Sequence, residues 1–133
     1  MSGSTIKGEF LCVVCPNGCI LEAEYEEKGE GGRELIFFAG NRCARGEKWV
    51  RQEIEDPMRT ISSSILVRGG DFPLASVRTT APIPLTKVRD VMDEIRKAAL
   101  DAPLYIGQVV LVNPAGAETN IIVTRGVAAL RHR

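Results

Sequence analysis

The spacing of four cysteines constrains this chain more than any other feature of its sequence. Cys12, Cys15 and Cys19 lie within eight residues, and Cys43 follows after 23 more. The first residues, Met1–Ser4, contain no basic or apolar stretch typical of a secretion signal. We therefore expect a cytoplasmic protein with reduced thiols, in which a cysteine set of this kind binds a metal more often than it forms disulfides.

The segment between the third and fourth cysteines predicts how the sulfurs come together. Residues 21–26 alternate apolar and glutamate side chains, which indicates a half-buried strand with a solvated acidic face. The glycine-rich loop Lys28–Arg33 and a returning strand over Leu35–Ala39 complete a hairpin. Because Cys19 and Cys43 flank the open end of this hairpin, we expect all four sulfurs to converge on one point.

The grouping of the cysteines favours an iron–sulfur cluster over a single zinc ion. Structural zinc sites usually take cysteines as two separated pairs, whereas here three come from one short segment and one from elsewhere. Bacterial ferredoxins use a related three-plus-one distribution for a [4Fe–4S] cluster. A structural zinc site and a redox-active dithiol are the alternatives that the spacing leaves open.

Four further residues are expected to surround the cysteines. Gly18 allows close approach of the backbone, where free N–H groups can donate to sulfur. Arg45 offsets part of the negative charge of four thiolates. Asn41 and Gly46 flank the last cysteine within the same short motif, so we assign them to this second layer of the site.

The whole chain of 133 residues is predicted to fold as two small α+β units. Residues 1–57 form a four-cysteine, cluster-binding β-hairpin knot with a short helix, and residues 58–133 form a ββαββ module with mostly antiparallel pairing. The predicted elements are a strand over Phe10–Val14, a helix over Gly46–Glu55, strands over Ile61–Arg68 and Leu74–Thr80, a helix with an apolar stripe from Val88 to Ala99 that stops by Ala102, and strands over Gln108–Val112 and Asn120–Thr124.

Composition excludes several classes of function. The chain has 17 basic and 17 acidic residues and 5% aromatic residues, which argues against a nucleic-acid-binding protein. Its apolar runs are too short to cross a bilayer, so no membrane insertion is expected. The one histidine, His132, lies next to the end of the chain and is assigned no catalytic role. Any chemistry must therefore come from the cysteines.

The cysteine region resembles the N-terminal domain of molybdopterin oxidoreductases such as formate dehydrogenase. The matching segments are Cys12–Cys19 and Gly40–Gly46, and the resemblance covers only about residues 10–50. In those enzymes the four cysteines hold a [4Fe–4S] cluster, and a basic residue two places after the last cysteine lies between cluster and pterin. Arg45 matches that basic residue. The resemblance implies the cluster but not the molybdenum cofactor.

Nearly the whole chain resembles a family of small proteins with a CxxC motif and no defined function. The matching stretches are Cys12–Cys19, Gly40–Gly46, Pro57–Thr60, Thr79–Pro84 and Val109–Arg125. The genes of that family often neighbour an FAD-dependent glycerol-3-phosphate dehydrogenase-like flavoprotein and an NAD(P)/FAD-dependent reductase. The resemblance implies a non-catalytic electron-transfer subunit of such an oxidoreductase complex. A zinc-stabilised adaptor of the same complex and a redox or metal sensor are the alternatives.

Overall fold

The computed structural model describes residues 4–131, and the chain divides into two compact units between Pro57 and Met58. His132 and the first three residues lie outside the described range, so the expectations placed on them stay predictions. Within residues 4–131 no helix is long and apolar enough to cross a lipid bilayer. The architecture is of the mixed α+β class, with many strands and two α-helices.

The first unit consists of one antiparallel sheet and one helix. Its elements are β1 (Thr5–Leu11), β2 (Ile20–Lys28), β3 (Gly32–Ala39) and α1 (Ala44–Glu55), with β2 in the middle of the sheet. The register places Phe10 opposite Leu21 and Ala23 opposite Phe38. The predicted hairpin is thus confirmed, because β2 and β3 pair antiparallel across a tight turn at residues 29–31.

The first strand differs from its prediction. It runs over Thr5–Leu11 rather than Phe10–Val14, and Val13 and Val14 are exposed loop residues. The reason is pairing across the sheet: every residue of β1 lies opposite a residue of Ile20–Glu26, and the chain must leave the sheet after Leu11 to turn back into β2. Val13 and Val14 therefore have no partner strand despite their high strand propensity.

One face of this sheet is covered by α1. The amphipathic pattern of the helix places Val50 and Ile54 in full burial against the sheet, with Trp49 half-buried beside them, as predicted. The buried members of this core are Cys12, Leu21, Ala23, Leu35, Val50 and Ile54. Glu22 on the opposite face of β2 is exposed, which confirms the alternation over Leu21–Ala23, whereas Glu24, Tyr25 and Glu26 are all half-buried.

The second unit is built on a five-stranded sheet with the order β8-β5-β6-β10-β9. Its elements are β4 (Met58–Arg59), β5 (Ser62–Arg68), β6 (Leu74–Thr79), β7 (Ile83–Pro84), α2 (Val88–Lys97), β8 (Ala99–Asp101), β9 (Val109–Val112) and β10 (Asn120–Arg125). The short strands β4 and β7 pair with each other as a separate two-stranded sheet. Helix α2 contributes Val91 and Ile95 to a core that also buries Ile65, Val77 and Ile121.

The predicted ββαββ plan lacks three of the observed strands, β4, β7 and β8. The last of these forms because α2 is shorter than its apolar stripe. The helix ends at Lys97, Ala98 is extended, and Ala99–Asp101 form a strand that pairs parallel with β5. Ala99, placed in the buried helical stripe by its spacing, is exposed. The free edge of β5 offers backbone hydrogen bonds to this segment, and such tertiary pairing outweighs a weak local helix preference.

Substitution of Gly40, which lies between β3 and α1, tests the close approach of this glycine to the backbone of Ile20. Gly40 has φ = +94°, and a Cβ there would overlap the carbonyl oxygen of Ile20. We expect Gly40→Ala to lower the free energy of unfolding by about 1–3 kcal/mol, because it combines backbone strain with a clash against main chain. Urea unfolding monitored by Trp49 fluorescence would measure this loss.

The matched control is Gly29→Ala in the turn between β2 and β3. Its φ is not in the left-handed region, and a Cβ there meets no atom within 4 Å. We expect this variant to unfold at the same urea concentration as the wild type, to within about 0.5 kcal/mol. Equal destabilisation by both substitutions would contradict the close approach at Gly40.

Candidate functional site

The first three cysteines lie on the connection between β1 and β2. Cys12 follows the last residue of β1 and Cys19 precedes the first residue of β2. The Cys12 N–H donates to the Cys19 carbonyl oxygen at 2.8 Å, which continues the β-ladder by one bond and closes the loop. Cys15 lies at the start of the turn inside this loop and is half-buried. The β1–β2 hairpin therefore holds Cys12 and Cys19 side by side at the two ends of its connecting loop.

The Cys12 side chain points into the core of the first unit. Only 6% of its surface is exposed, and it packs in the same cluster as Leu21 and Val50. Gly46 in the first turn of α1 faces this sulfur, since a Cβ on Gly46 would lie 4.0 Å from it. Gly46 thus brings the helix backbone close to the Cys12 sulfur.

Cys43 borders the same glycine. It is the N-cap residue of α1, with extended backbone angles, and its side chain is exposed. The backbone N–H groups of Gly46 and Arg45 lie near its sulfur, although the Gly46 N–H donates to the Cys43 carbonyl oxygen at 3.2 Å and the side chain makes no capping hydrogen bond. These N–H groups, in that order, lower the pKa of the Cys43 thiol, and the Arg45 guanidinium adds a smaller effect of the same sign.

The structure brings the cysteines together in part. Cys12 and Cys43 both border Gly46, and Cys12 and Cys19 share a backbone hydrogen bond. No disulfide joins any of the four. Among the residues that the structure describes, no three Cys, His, Asp or Glu side chains are grouped closely enough to hold a metal ion. The expected convergence of all four sulfurs on one point therefore stays a prediction.

The four residues assigned to the second layer lie around the two ends of the site. Asn41 donates from Nδ2 to the Cys43 carbonyl oxygen at 3.3 Å, and its Cβ would be 3.2 Å from a Cβ on Gly46. Gly18 has φ = +61°, which a turn entering β2 requires here. Arg45 is exposed next to Cys43. Each of these residues thus lies near a cysteine, and their role around a cluster stays a prediction.

An exposed apolar rim around the cysteine loop was missed by the sequence interpretation. Leu11 and Ile20 lie directly opposite each other at the end of the hairpin and are 58% and 61% exposed. Val13 in the loop is 69% exposed and Val14 is 39% exposed. Alternation of apolar and charged residues over Thr5–Leu11 would have revealed this rim, because it places Leu11 on the solvated face with Lys7 and Glu9.

A groove on that solvated face continues from the rim. It has a volume of about 430 Å³ and is lined by Lys7, Gly8, Glu9, Glu22, Ala23, Glu24 and Phe37. Lys7 and Glu24 form an ion pair of 3.1 Å across it, which leaves Glu9 and Glu22 as an uncompensated acidic pair. This face of the sheet is therefore apolar at the cysteine end and acidic beyond it.

These features define a mixed α+β protein with four free thiols placed at one hairpin end and one helix N-terminus. The chain belongs to the DUF1667 family of proteins of unknown function, whose sequence pattern matches residues 44–125. That match covers α1 and the second unit through β10, and it begins directly after Cys43.

One solved structure is similar to part of this chain. The NMR structure of the Clostridium perfringens protein CPE0013 superimposes with a TM-score of 0.50 at 22% identity, covering 57% of this chain and 93% of the other. At this identity the likeness concerns the fold alone, and it agrees with the α+β architecture. No curated protein matches this chain.

The surroundings of Cys43 predict a pH-dependent reactivity. Because nearby N–H groups lower its pKa, its reactive thiolate persists to a lower pH than in an unfolded chain. In reduced, metal-free protein we expect Cys43 to be alkylated by iodoacetamide faster than buried Cys12, with a pH midpoint below that of the same residue in urea. Mass spectrometry of peptides across a pH series measures both rates.

The variant Arg45→Gln separates the effect of the Arg45 side chain on the Cys43 pKa from the effect of the backbone N–H groups. We expect it to raise the Cys43 midpoint only part of the way to the value in urea, because the Gly46 and Arg45 backbone N–H groups remain. If the folded and unfolded proteins give the same midpoint for Cys43, its placement at the start of α1 is wrong.

Proposed function

We propose that Cys12, Cys15, Cys19 and Cys43 hold one [4Fe–4S] cluster and that the protein transfers single electrons to or from a partner flavoprotein. The partner is an FAD-dependent dehydrogenase, with an NAD(P)/FAD-dependent reductase-like subunit as a further member of the complex. The protein itself performs no bond-making step in this proposal. A cytoplasmic location fits the reduced state that the four thiols require.

The main support for the proposal is that Cys12 and Cys43, which are distant in sequence, both lie next to Gly46. Cys12 and Cys43 are separated in the sequence by the β2–β3 hairpin, yet both side chains border the same glycine. A glycine at the first turn of α1 lets the helix backbone lie close to both cysteine side chains. Sites for bulky inorganic groups need this kind of close, side-chain-free backbone approach.

The chemistry of the donor set fits an iron–sulfur cluster. Four thiolates are the usual ligands of such a group, which when bound supplies a one-electron redox couple. Cys15 and Cys19 are half-buried in and beside a short turn. We propose that these two side chains rotate about their χ1 angles to join Cys12 and Cys43, with the hairpin strands unchanged.

The residues that surround the four proposed thiolate ligands have separate roles. The Gly46 and Arg45 N–H groups stabilise the Cys43 sulfur in its thiolate form, which is the form that binds metal. The Arg45 side chain compensates part of the negative charge that four thiolates bring together. Burial of Cys12 under α1 keeps water from one side of the site. These effects favour a stable anionic site.

The exposed rim supports a role in contact with a partner protein. Leu11, Val13, Val14 and Ile20 are exposed next to the cysteines, and electron transfer requires that a partner cofactor come close to them. Apolar side chains exposed together at one site mark interaction surfaces more often than scattered ones do. The acidic face beyond the rim favours a partner with a basic surface.

Anaerobic metal analysis tests the proposal. We expect protein purified without oxygen to contain about four iron and four sulfide per chain, to be brown, and to give an electron paramagnetic resonance signal after dithionite reduction. Each of Cys12→Ser, Cys15→Ser, Cys19→Ser and Cys43→Ser should lower the iron content several-fold. The control Ala44→Ser changes an exposed neighbour of Cys43 and should keep the iron content of the wild type.

Two results would overturn the proposal in different ways. One zinc per chain, without iron or sulfide under anaerobic conditions, would replace it with the zinc-stabilised adaptor. Iron retained in all four serine variants would place the metal elsewhere. If the cluster is present, rapid mixing with the reduced flavoprotein captured from native cells should oxidise the flavin and bleach the cluster absorbance together.

Removal of the metal should affect the two units differently. The first unit has a core of six buried residues, one of them a proposed ligand, so ligand binding contributes much of its stability. In chelated protein we expect trypsin to cut within residues 10–50 at least several-fold faster than in loaded protein, while the second unit persists. Equal resistance of the first unit with and without metal would contradict this coupling.

A further inference from the structure

Asn17 lies in the loop that joins β1 and β2, between Cys15 and Cys19. Residues 12–19 belong to no helix or strand, and the Asn17 side chain is exposed. Within residues 4–131 this side chain makes no hydrogen bond. Gly18 follows it in the chain. The amide group of Asn17 is therefore free to change its orientation, and its successor has no side chain that could hinder a reaction at that group.

An asparagine followed by glycine can lose its amide group with water as the only other reactant. The backbone nitrogen of Gly18 attacks Asn17 Cγ, a five-membered succinimide ring closes, and ammonia leaves with the proton of the Gly18 N–H. Water then opens the ring. Cleavage between the Gly18 nitrogen and Asn17 Cγ gives aspartate, and cleavage between that nitrogen and the Asn17 carbonyl carbon gives isoaspartate. Because the nitrogen and the amide belong to adjacent residues, the attack is intramolecular and needs no catalyst.

Two of the other three asparagines in the chain are protected by the residue that follows them. Asn113 precedes Pro114, whose nitrogen carries no hydrogen and cannot take part in this ring closure. Asn120 precedes Ile121, which is fully buried and pairs with strands on both sides. The Asn120 amide oxygen also accepts from the Asn113 N–H at 3.1 Å. Neither asparagine combines a free amide with an unhindered neighbour.

Asn41 is the most similar asparagine to Asn17, because it also lies in a loop next to a cysteine. It is half-buried, and its Nδ2 donates to the Cys43 carbonyl oxygen at 3.3 Å. Arg42 follows it, with a side chain that hinders attack by its own backbone nitrogen. Asn17 is therefore the asparagine whose surroundings favour deamidation most.

Deamidation would change the cysteine loop in two ways. It replaces a neutral amide with a carboxylate in the segment between Cys15 and Cys19, where like-charge repulsion opposes the approach of thiolates. The isoaspartate product also adds a methylene group to the main chain of a loop that the Cys12 N–H closes onto the Cys19 carbonyl oxygen at 2.8 Å. Both changes disfavour the convergence of four thiolates.

We propose that Asn17 is a site of spontaneous deamidation and that the modified loop binds metal more weakly than the original one. The first part depends on the chemistry of Asn17 and Gly18 and holds for the metal-free protein. The second part rests on the proposed function, since it requires that Cys15 and Cys19 act as metal ligands.

Peptide mass spectrometry of the reduced, metal-free chain tests the first part. After ageing in mildly alkaline buffer and digestion at acidic pH, the peptide with Asn17 should show the mass of a carboxylate in place of an amide, as two products that chromatography separates. We expect this change to be about tenfold or more faster than at Asn41 or Asn120, because glycine leaves the attacking nitrogen unhindered. An equal rate at Asn41 or Asn120, or an unchanged Asn17, would overturn the proposal.

A matched pair of variants tests the effect on metal binding. Asn17→Asp introduces the carboxylate, whereas Asn17→Gln keeps a neutral amide. With Zn²⁺ alone as the probe, in competition with a chelator, we expect Asn17→Asp to bind several-fold more weakly than both Asn17→Gln and the wild type. Equal affinities of the two variants would overturn the second part. A wild type that binds no metal would overturn the proposed function together with this second part, and the faster reaction at Asn17 would stand by itself.

Discussion

The burial of one face of α1 against one face of the first sheet determines the geometry around the cysteines. Val50 and Ile54 are fully buried against Leu21 and Leu35, and this contact fixes the position of the helix over the hairpin. Because Cys43 is the residue that begins the helix, the same contact places it near the end of β1, where Cys12 leaves the sheet. Gly46 provides room at this junction, since any larger residue would press on Asn41. The relation between two cysteines 31 positions apart thus depends on ordinary apolar packing.

The local sequence pattern predicted those elements in which the spacing of apolar residues matches the face that is buried. The alternation over residues 21–26 and the helical stripe from Val88 to Met92 and Ile95 both correspond to buried faces in the structure. Two elements that depend on pairing with another strand, β1 and β8, were mispredicted. Ala99–Asp101 reads as the end of a helix until β5 offers it a parallel partner, and β1 extends back to Thr5 because β2 is long enough to pair with it. Such pairings are properties of the assembled sheet and have weak counterparts in local sequence.

For the candidate site, the sequence indicated which residues to consider better than it indicated where their side chains lie in the fold. Spacing alone selected Cys12 to Cys43 as a set and named Asn41, Arg45 and Gly46 as their neighbours, and these residues do border Cys43 or Cys12. Spacing could not indicate that Cys12 is enclosed while Cys43 is exposed, since that difference arises from which side of the sheet α1 covers. It also could not indicate the apolar rim, because Leu11 and Ile20 become neighbours only through the register of β1 and β2.

The enclosure of Cys12 makes the first unit sensitive to chemical damage. Its sulfur is one of six buried members of a small core, so an oxygen atom added to it places a polar group among apolar side chains. Oxidation of an exposed thiol such as Cys43 changes a surface group, but oxidation of Cys12 would leave a poorly solvated polar group in the core or expel the loop from it. The first unit would then open and become a substrate for cellular proteases. Molecules damaged at this sulfur would be removed, and the intact population would remain chemically uniform.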